Sequence, residues 1–128
     1  MDDTRARQAL IDRYIAAYNA FDVDGMLAVL APDVRFENFS AGRLTAQAHG
    51  IEAFRQLAGH AAALFSEREQ RVTARRDHAD RVVVDIAYRG VLAADIPDGP
   101  KAGTVLEMTG QSEFEFADGR ISRIVDRS

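Results

Sequence analysis

The chain contains no cysteine, and this absence excludes disulfides, thiolate chemistry and zinc sites built on cysteine. Histidine is scarce: His49, His60 and His78 are too scattered to form a metal-binding motif, so no metal is expected. A basic surplus is also missing, because 16 Lys and Arg stand against 20 Asp and Glu, for a net charge of −4 at pH 7. A nucleic-acid partner would require a basic surface, so none is expected.

Long apolar runs are missing as well. No stretch approaches the roughly 18–20 residues that a membrane span requires, so no membrane insertion is expected. The opening MDDTRARQAL has two acids and no signal-peptide core, which predicts a cytoplasmic location. The 128 residues are 47% hydrophobic. This predicts one domain, residues 1–128, that folds without a metal or disulfide.

Apolar periodicity predicts the order of the elements. A first helix covers 4–21, and a second, capped by Asp22 or Asp24, passes through Leu30 and ends before Pro32. The remaining predictions are a strand at 34–39, a loop at 40–49, a helix at 49–65, and strands near 69–76, 81–91, 104–116 and 120–127. This order is typical of an α+β domain, with helices packed on one face of a curved antiparallel sheet. Such a sheet leaves a cavity at its mouth.

The inward positions of these elements predict the cavity wall. They are Leu10, Tyr14, Tyr18, Phe36, Phe54, Leu57, Val84, Ile86, Met108, Phe114 and Ile124. Tyr88, Ser112 and His60 lie on or beside the same faces. Apolar walls with few polar groups are typical of a small-molecule site, so the expected partner is a small apolar molecule.

Two polar residues stand out on the inward strand faces. Asp126 follows Ile124, and a carboxylate there is costly unless it is paired or functional. Burial would raise the pKa of Asp126 and suit it to proton transfer, whereas at a frayed chain end it would be solvated. Asn38 follows Phe36 and would either orient a water or carbonyl or bond loop backbone.

Three segments resemble the nuclear transport factor 2-like superfamily, in particular its SnoaL-like and ketosteroid isomerase-like members. They are YIAAYNAFDVDGMLAVLAPDVRFEN (14–38), HGIEAF (49–54) and GQSEFEFADGRISRIVD (110–126). The resemblance covers nearly the whole chain. It implies a cone-shaped fold in which three N-terminal helices and a strongly curved antiparallel sheet enclose an apolar pocket.

The resemblance also implies roles for single residues. Tyr14 takes the place of the oxyanion-hole tyrosine of ketosteroid isomerase, and Ser112 lies near that of its protonated aspartate. Asn38 replaces the basic aspartate of that enzyme, and an amide cannot accept a proton at useful pH. Asn38 also matches a water-holding asparagine of limonene epoxide hydrolase, and Asp126 matches an acid on its last strand.

Asp126, Tyr14 and Asn38 are therefore the predicted catalytic residues, and no cofactor is expected. The predicted substrate-binding residues are Tyr18, Phe36, Phe54, Leu57, His60, Val84, Ile86, Tyr88, Met108, Ser112, Phe114 and Ile124.

Two classes of function stay open. One is a cofactor-free acid–base enzyme (isomerase, cyclase or hydrolase) acting on an apolar oxygenated substrate. The other is a non-catalytic module that binds a small ligand or a protein. The polar outer face of strand 104–116 predicts a homodimer, the alternative being a solvated surface.

Overall fold

The computed structural model describes residues 4–128, in which three helices lie against one sheet of six strands. The elements are α1 (Thr4–Asn19), α2 (Val23–Leu27), β1 (Leu30–Ser40), β2 (Arg43–His49), α3 (Ile51–Ala63), β3 (Phe65–Asp77), β4 (Val82–Leu92), β5 (Val105–Ala117) and β6 (Arg120–Arg127). The strand order is β2-β1-β6-β5-β4-β3. The predicted α+β class, with three helices before the meander, is confirmed. No helix within residues 4–128 combines the length and the apolar character needed to cross a membrane.

The sheet is mixed rather than wholly antiparallel, because β6 inserts between β1 and β5. It pairs parallel with β1, with Phe36 opposite Ile124 and Asn38 opposite Asp126, and antiparallel with β5. The backbone ladder continues to the end of the chain, where the Ser128 N–H donates to the Phe39 carbonyl at 2.9 Å. The last strand is therefore held on both sides and is not frayed.

The second helix is shorter than predicted. Asp22 caps it, since Asp22 Oδ1 accepts from the Gly25 N–H at 2.9 Å. The helix ends at Leu27, and Leu30 already begins β1. Pro32 is tolerated inside this strand because the pairing register with β6 shifts between Leu30 and Arg35.

The predicted loop at 40–49 is wrong, because this segment forms β2. Ala41 and Gly42 have φ angles of 52° and 78°, which make the two-residue turn of a β-hairpin with β1. The alternating apolar residues of β2 are mostly alanines, so its hydrophobic pattern is too weak to predict a strand. The edge strand β3 also begins earlier than predicted, at Phe65.

The hydrophobic core lies between the helices and the inner sheet face. Its most completely buried side chains are Ile11, Val29, Leu30, Val34, Val82, Val84, Phe114, Ile121 and Ile124. Burial of this kind is the main favourable contribution to folding. Since β6 supplies two of these side chains, the strand that carries Asp126 belongs to the best-packed part of the protein.

We expect Ile121→Ala to lower the free energy of unfolding by roughly 2–5 kcal/mol, because it leaves a cavity at a fully buried site. Val105→Ala is the control, since Val105 is 48% exposed and should lose less than about 1 kcal/mol. Urea unfolding followed by circular dichroism measures both. Equal losses would contradict this description of the core.

Candidate functional site

A cavity of about 380 Å³ lies between the three helices and the inner face of the sheet. Its wall contains Tyr14, Tyr18, Met26, Phe36, Asn38, Ser40, Phe54, Leu57, Ala58, Ala61, Phe65, Arg68, Gln70, Ile86, Tyr88, Met108, Thr109, Gly110, Gln111, Ser112, Asp126, Arg127 and Ser128. The size and the mainly apolar wall are typical of small-molecule sites.

Asp126 is the acidic residue of this wall. Strand pairing places Ser112 of β5 on one side and Asn38 of β1 on the other. The Ser112 hydroxyl donates to Asp126 Oδ1 at 2.6 Å. Burial raises the pKa of Asp126 from its ordinary 3.8 to about 6, while the Ser112 hydrogen bond acts in the opposite direction. Asp126 can therefore both accept and return a proton near neutral pH.

Tyr14 reaches the cavity from α1 and is only 4% exposed. Its ring packs edge-on against Phe114 and tilted against Phe54, with centroids 5.9 and 6.4 Å apart. Burial, followed by the negative charge of Asp126, raises its pKa well above the ordinary value of 10, so the phenol stays protonated. The hydroxyl makes no hydrogen bond within residues 4–128, which leaves its proton available to a ligand.

Asn38 is oriented by the β1–β2 hairpin. Its Nδ2 donates to Thr45 Oγ1 at 2.8 Å, and the Thr45 hydroxyl donates to the Asn38 main-chain carbonyl at 3.2 Å. Because the Thr45 hydroxyl donates its proton to the carbonyl, it can only accept from the Asn38 side chain. The amide is therefore oriented with its NH₂ group towards Thr45. The amide oxygen keeps its capacity to accept a hydrogen bond.

A second polar group, formed by Tyr18, Tyr88, Arg68 and Gln70, lies elsewhere in the wall. The Tyr18 hydroxyl donates to the Tyr88 hydroxyl at 3.0 Å. Burial raises the pKa of Tyr88 far above 10, so it remains a neutral donor. Sequence reasoning missed Arg68, because nothing in the charged run SEREQRV separates one buried arginine from its exposed neighbours.

Of the predicted site residues, eleven line the cavity: Asp126, Tyr14, Asn38, Tyr18, Phe36, Phe54, Leu57, Ile86, Tyr88, Met108 and Ser112. Their functional roles stay predictions.

The other predicted residues do not line the cavity, so this part of the prediction is wrong. They are His60, Val84, Phe114, Ile124 and Leu10. His60 is exposed on α3. Val84, Phe114 and Ile124 are on the predicted inner face but lie in the core, where the helices close over the sheet, and Leu10 packs against that core. Strand alternation identifies a face, but not which part of that face the helices leave open.

Metal-ligating side chains do not converge anywhere in the described part of the chain, residues 4–128. No group of three or more His, Asp or Glu is placed to hold an ion there.

A family model described as the SnoaL-like domain matches residues 11–124. The chain belongs to the SnoaL-like domain family. Among curated proteins none matches this SnoaL-like chain in sequence.

Solved structures resemble the SnoaL-like domain over nearly its full length. A candidate polyketide cyclase from Xanthomonas campestris pv. campestris is 26% identical, with a TM-score of 0.81 over 97% of this chain and 90% of that one. A second, from Silicibacter sp. TM1040, is also 26% identical, with a TM-score of 0.74 over 95% and 88%. A protein with a ketosteroid isomerase-like fold from Catenulispora acidiphila, in complex with trimethylamine, is 15% identical, with a TM-score of 0.76 over 91% and 82%.

The raised pKa of Asp126 predicts a pH-dependent stability. Between the ordinary value of 3.8 and about 6, the folded state holds a proton that the unfolded state releases. The contribution of Asp126 to the free energy of unfolding therefore falls by about 3 kcal/mol as the pH rises through this window, and the loss persists above it. Asp126→Asn lacks this titration, so it should be more stable than the wild type at about pH 8 but not at about pH 4. Urea unfolding at both pH values measures this, and a stability difference that does not vary with pH would contradict the raised pKa.

Proposed function

We propose that this SnoaL-like protein is an enzyme that acts on a small, apolar, oxygenated molecule by acid–base chemistry of the isomerase, cyclase or hydrolase type. The observation that carries the proposal is the Asp126 carboxyl group, which lines the apolar cavity with a pKa near 6. It lies within electrostatic reach of the unbonded Tyr14 hydroxyl. A group poised near the working pH is what general acid–base catalysis requires.

In this proposal Asp126 takes a proton from the substrate and returns one later. Ser112 orients the carboxyl group through the 2.6 Å hydrogen bond. The Tyr14 hydroxyl donates a hydrogen bond to the substrate oxygen on which negative charge develops. Such a hydrogen bond is strengthened where water is excluded. The Asn38 amide oxygen accepts from a substrate hydroxyl or a water. Asn38 therefore positions the reactants and does not move a proton.

The family membership supports this proposal. Two structural neighbours at 26% identity are candidate polyketide cyclases, and another member of the fold holds a small amine. Most of the cavity wall is aromatic or aliphatic, which favours an apolar substrate body.

We also propose that the protein is a homodimer through the outer sheet face. Several charges there are already paired within the chain: Asp85 with Arg76 at 2.9 Å, and Arg123 with Glu37 at 2.7 Å and with Glu115 at 3.1 Å. A partner could cover these pairs without leaving a lone buried charge, which would be the costly case.

The catalytic assignment predicts the effect of Asp126→Asn on turnover. Once screening of polycyclic ketones, epoxides and lactones has found a substrate, this change should lower kcat by at least about 100-fold, because it removes the proton-transferring group. Asn38→Ala should lose less. Asp118→Asn in the exposed β5–β6 turn is the matched control and should leave kcat unchanged. The wild-type kcat should also change near pH 6, and this change should be absent from Asp126→Asn.

If Asp126→Asn turns the substrate over at the wild-type rate, the acid–base group lies elsewhere.

The dimer predicts a mass in solution of twice 14.1 kDa. Light scattering at micromolar concentration measures it. Ala87→Arg, in the middle of the outer face of β4, should shift the mass to that of a monomer, whereas Ala53→Arg on the exposed side of α3 should not. A wild-type mass near 14.1 kDa would reject the dimer.

A further inference from the structure

Arg68 is a buried cation without a counter-ion. It projects from β3 and is 6% exposed, although it belongs to the cavity wall. Its Nε donates to the Tyr18 main-chain carbonyl at 3.0 Å, but its Nη2 has no hydrogen-bond partner. No carboxylate of residues 4–128 forms a salt bridge with it. A buried guanidinium normally has its donors satisfied, so the unused ones indicate a missing acceptor.

Two aromatic rings hold the guanidinium in place. Its carbon lies 3.7 Å from the centroid of the Tyr18 ring and 4.6 Å from that of Phe21. These cation–π contacts offset part of the cost of burying the charge, but they use the faces of the guanidinium plane. The N–H groups lie in the guanidinium plane, so the contacts with the rings do not use them.

Phe21, which contacts the guanidinium, has an unfavourable backbone conformation. Phe21 lies in the turn after α1 and has a φ of 58°, in the left-handed region where glycine is usual. The Asp22 N–H donates to the Ala17 carbonyl at 2.8 Å, which completes the helix-ending motif. An aromatic side chain is unfavourable at this backbone angle. Here it gains the contact with Arg68, which glycine could not make.

A pair of hydrogen bonds also fixes β3 beside the end of α1. The Asn19 side chain donates to the Gln70 carbonyl at 3.0 Å and accepts from the Gln70 N–H at 2.8 Å. Arg68 is two residues away on the same strand, so this clamp sets its distance from Tyr18. The arginine is therefore preorganised, which reduces the entropic cost of binding a ligand.

We propose that Arg68 binds an anionic oxygen of the substrate, so that the substrate class is a small apolar acid, most simply an aromatic carboxylate. The Tyr88 hydroxyl, which accepts from Tyr18 and so keeps its own proton for another acceptor, is a second donor in the same part of the wall. This inference rests on the proposed function, since the bound acid places its other end towards Asp126. The electrostatics agree: the pKa of Tyr14 responds in opposite directions to Asp126 and Arg68, so its hydroxyl senses both polar groups.

Binding without turnover tests the proposal. Benzoate, 2-naphthoate and anthracene-2-carboxylate are titrated by calorimetry, each against its neutral carboxamide of nearly the same shape. The wild type should bind at least one carboxylate about 10-fold or more tighter than its amide. Arg68→Gln should weaken the binding of that carboxylate roughly 10- to 100-fold, because it removes a charge-assisted hydrogen bond. The affinity for the amide should be almost unchanged. Arg71→Gln is the matched control: it removes the same charge from an exposed position on β3 and should bind as the wild type.

Three results would overturn the proposal. One is equal wild-type affinity for acid and amide throughout the series. The second is failure to bind any carboxylate at a concentration on the order of 1 mM, which corresponds to very weak affinity. The third is unchanged carboxylate affinity in Arg68→Gln, once its melting curve shows that it is folded.

The same assay separates this inference from the catalytic one. Asp126→Asn should bind the carboxylate at least as tightly as the wild type, because it removes a negative charge from the cavity. If Arg68→Gln has no effect on binding while Asp126→Asn abolishes turnover, the acid-binding inference fails and the proposed function stands. If Arg68→Gln selectively loses carboxylate binding while Asp126→Asn turns over normally, acid binding stands and the catalytic role of Asp126 fails.

Discussion

The insertion of β6 between β1 and β5 is the constraint on which the site depends. It turns the chain's last strand into an interior strand, with Ile121, Ile124 and Val125 almost free of solvent contact. The register then places Asp126 between Asn38 and Ser112. A carboxyl group is ordinarily hydrated. Here the strands on both sides remove that water, and the loss of hydration raises its pKa.

The mainly apolar cavity wall contains two polar groups of different chemistry, one around Asp126 and one around Arg68. Around Asp126 are donors and acceptors whose pKa values suit proton transfer, since Tyr14 stays protonated while Asp126 titrates near neutrality. Arg68 is a permanent cation in contact with two aromatic rings. Opposite charges within one small cavity favour a ligand that is itself polarised, with an acidic end and a reactive end. An apolar cavity alone would select only for shape.

Much of the fold was predictable because its signals are local. The helical stripe of α1, the Asp22 cap and the alternation along β4 and β5 depend on neighbouring residues. The errors arose where partners distant in sequence decide the structure. Arg43–His49 became a strand because β1 offers it a free edge, and Leu30 joined β1 because β6 pairs with it. Likewise, Val84, Phe114 and Ile124 occupy the predicted face, but packing of the helices closed the space above them.

By itself, the sequence determined the fold class and the inward faces, because periodicity is local along the chain. Together with the resemblance to a known family, it also selected Asp126, Tyr14 and Asn38 as candidates. Only the tertiary structure decided that Asp126 is desolvated and bonded to Ser112, and that Asn38 is oriented by Thr45. Only it singled out Arg68 among sixteen basic residues. The physical reason is the same in each case: the energy of a polar group depends on which distant residues exclude its water, and no local pattern carries that information.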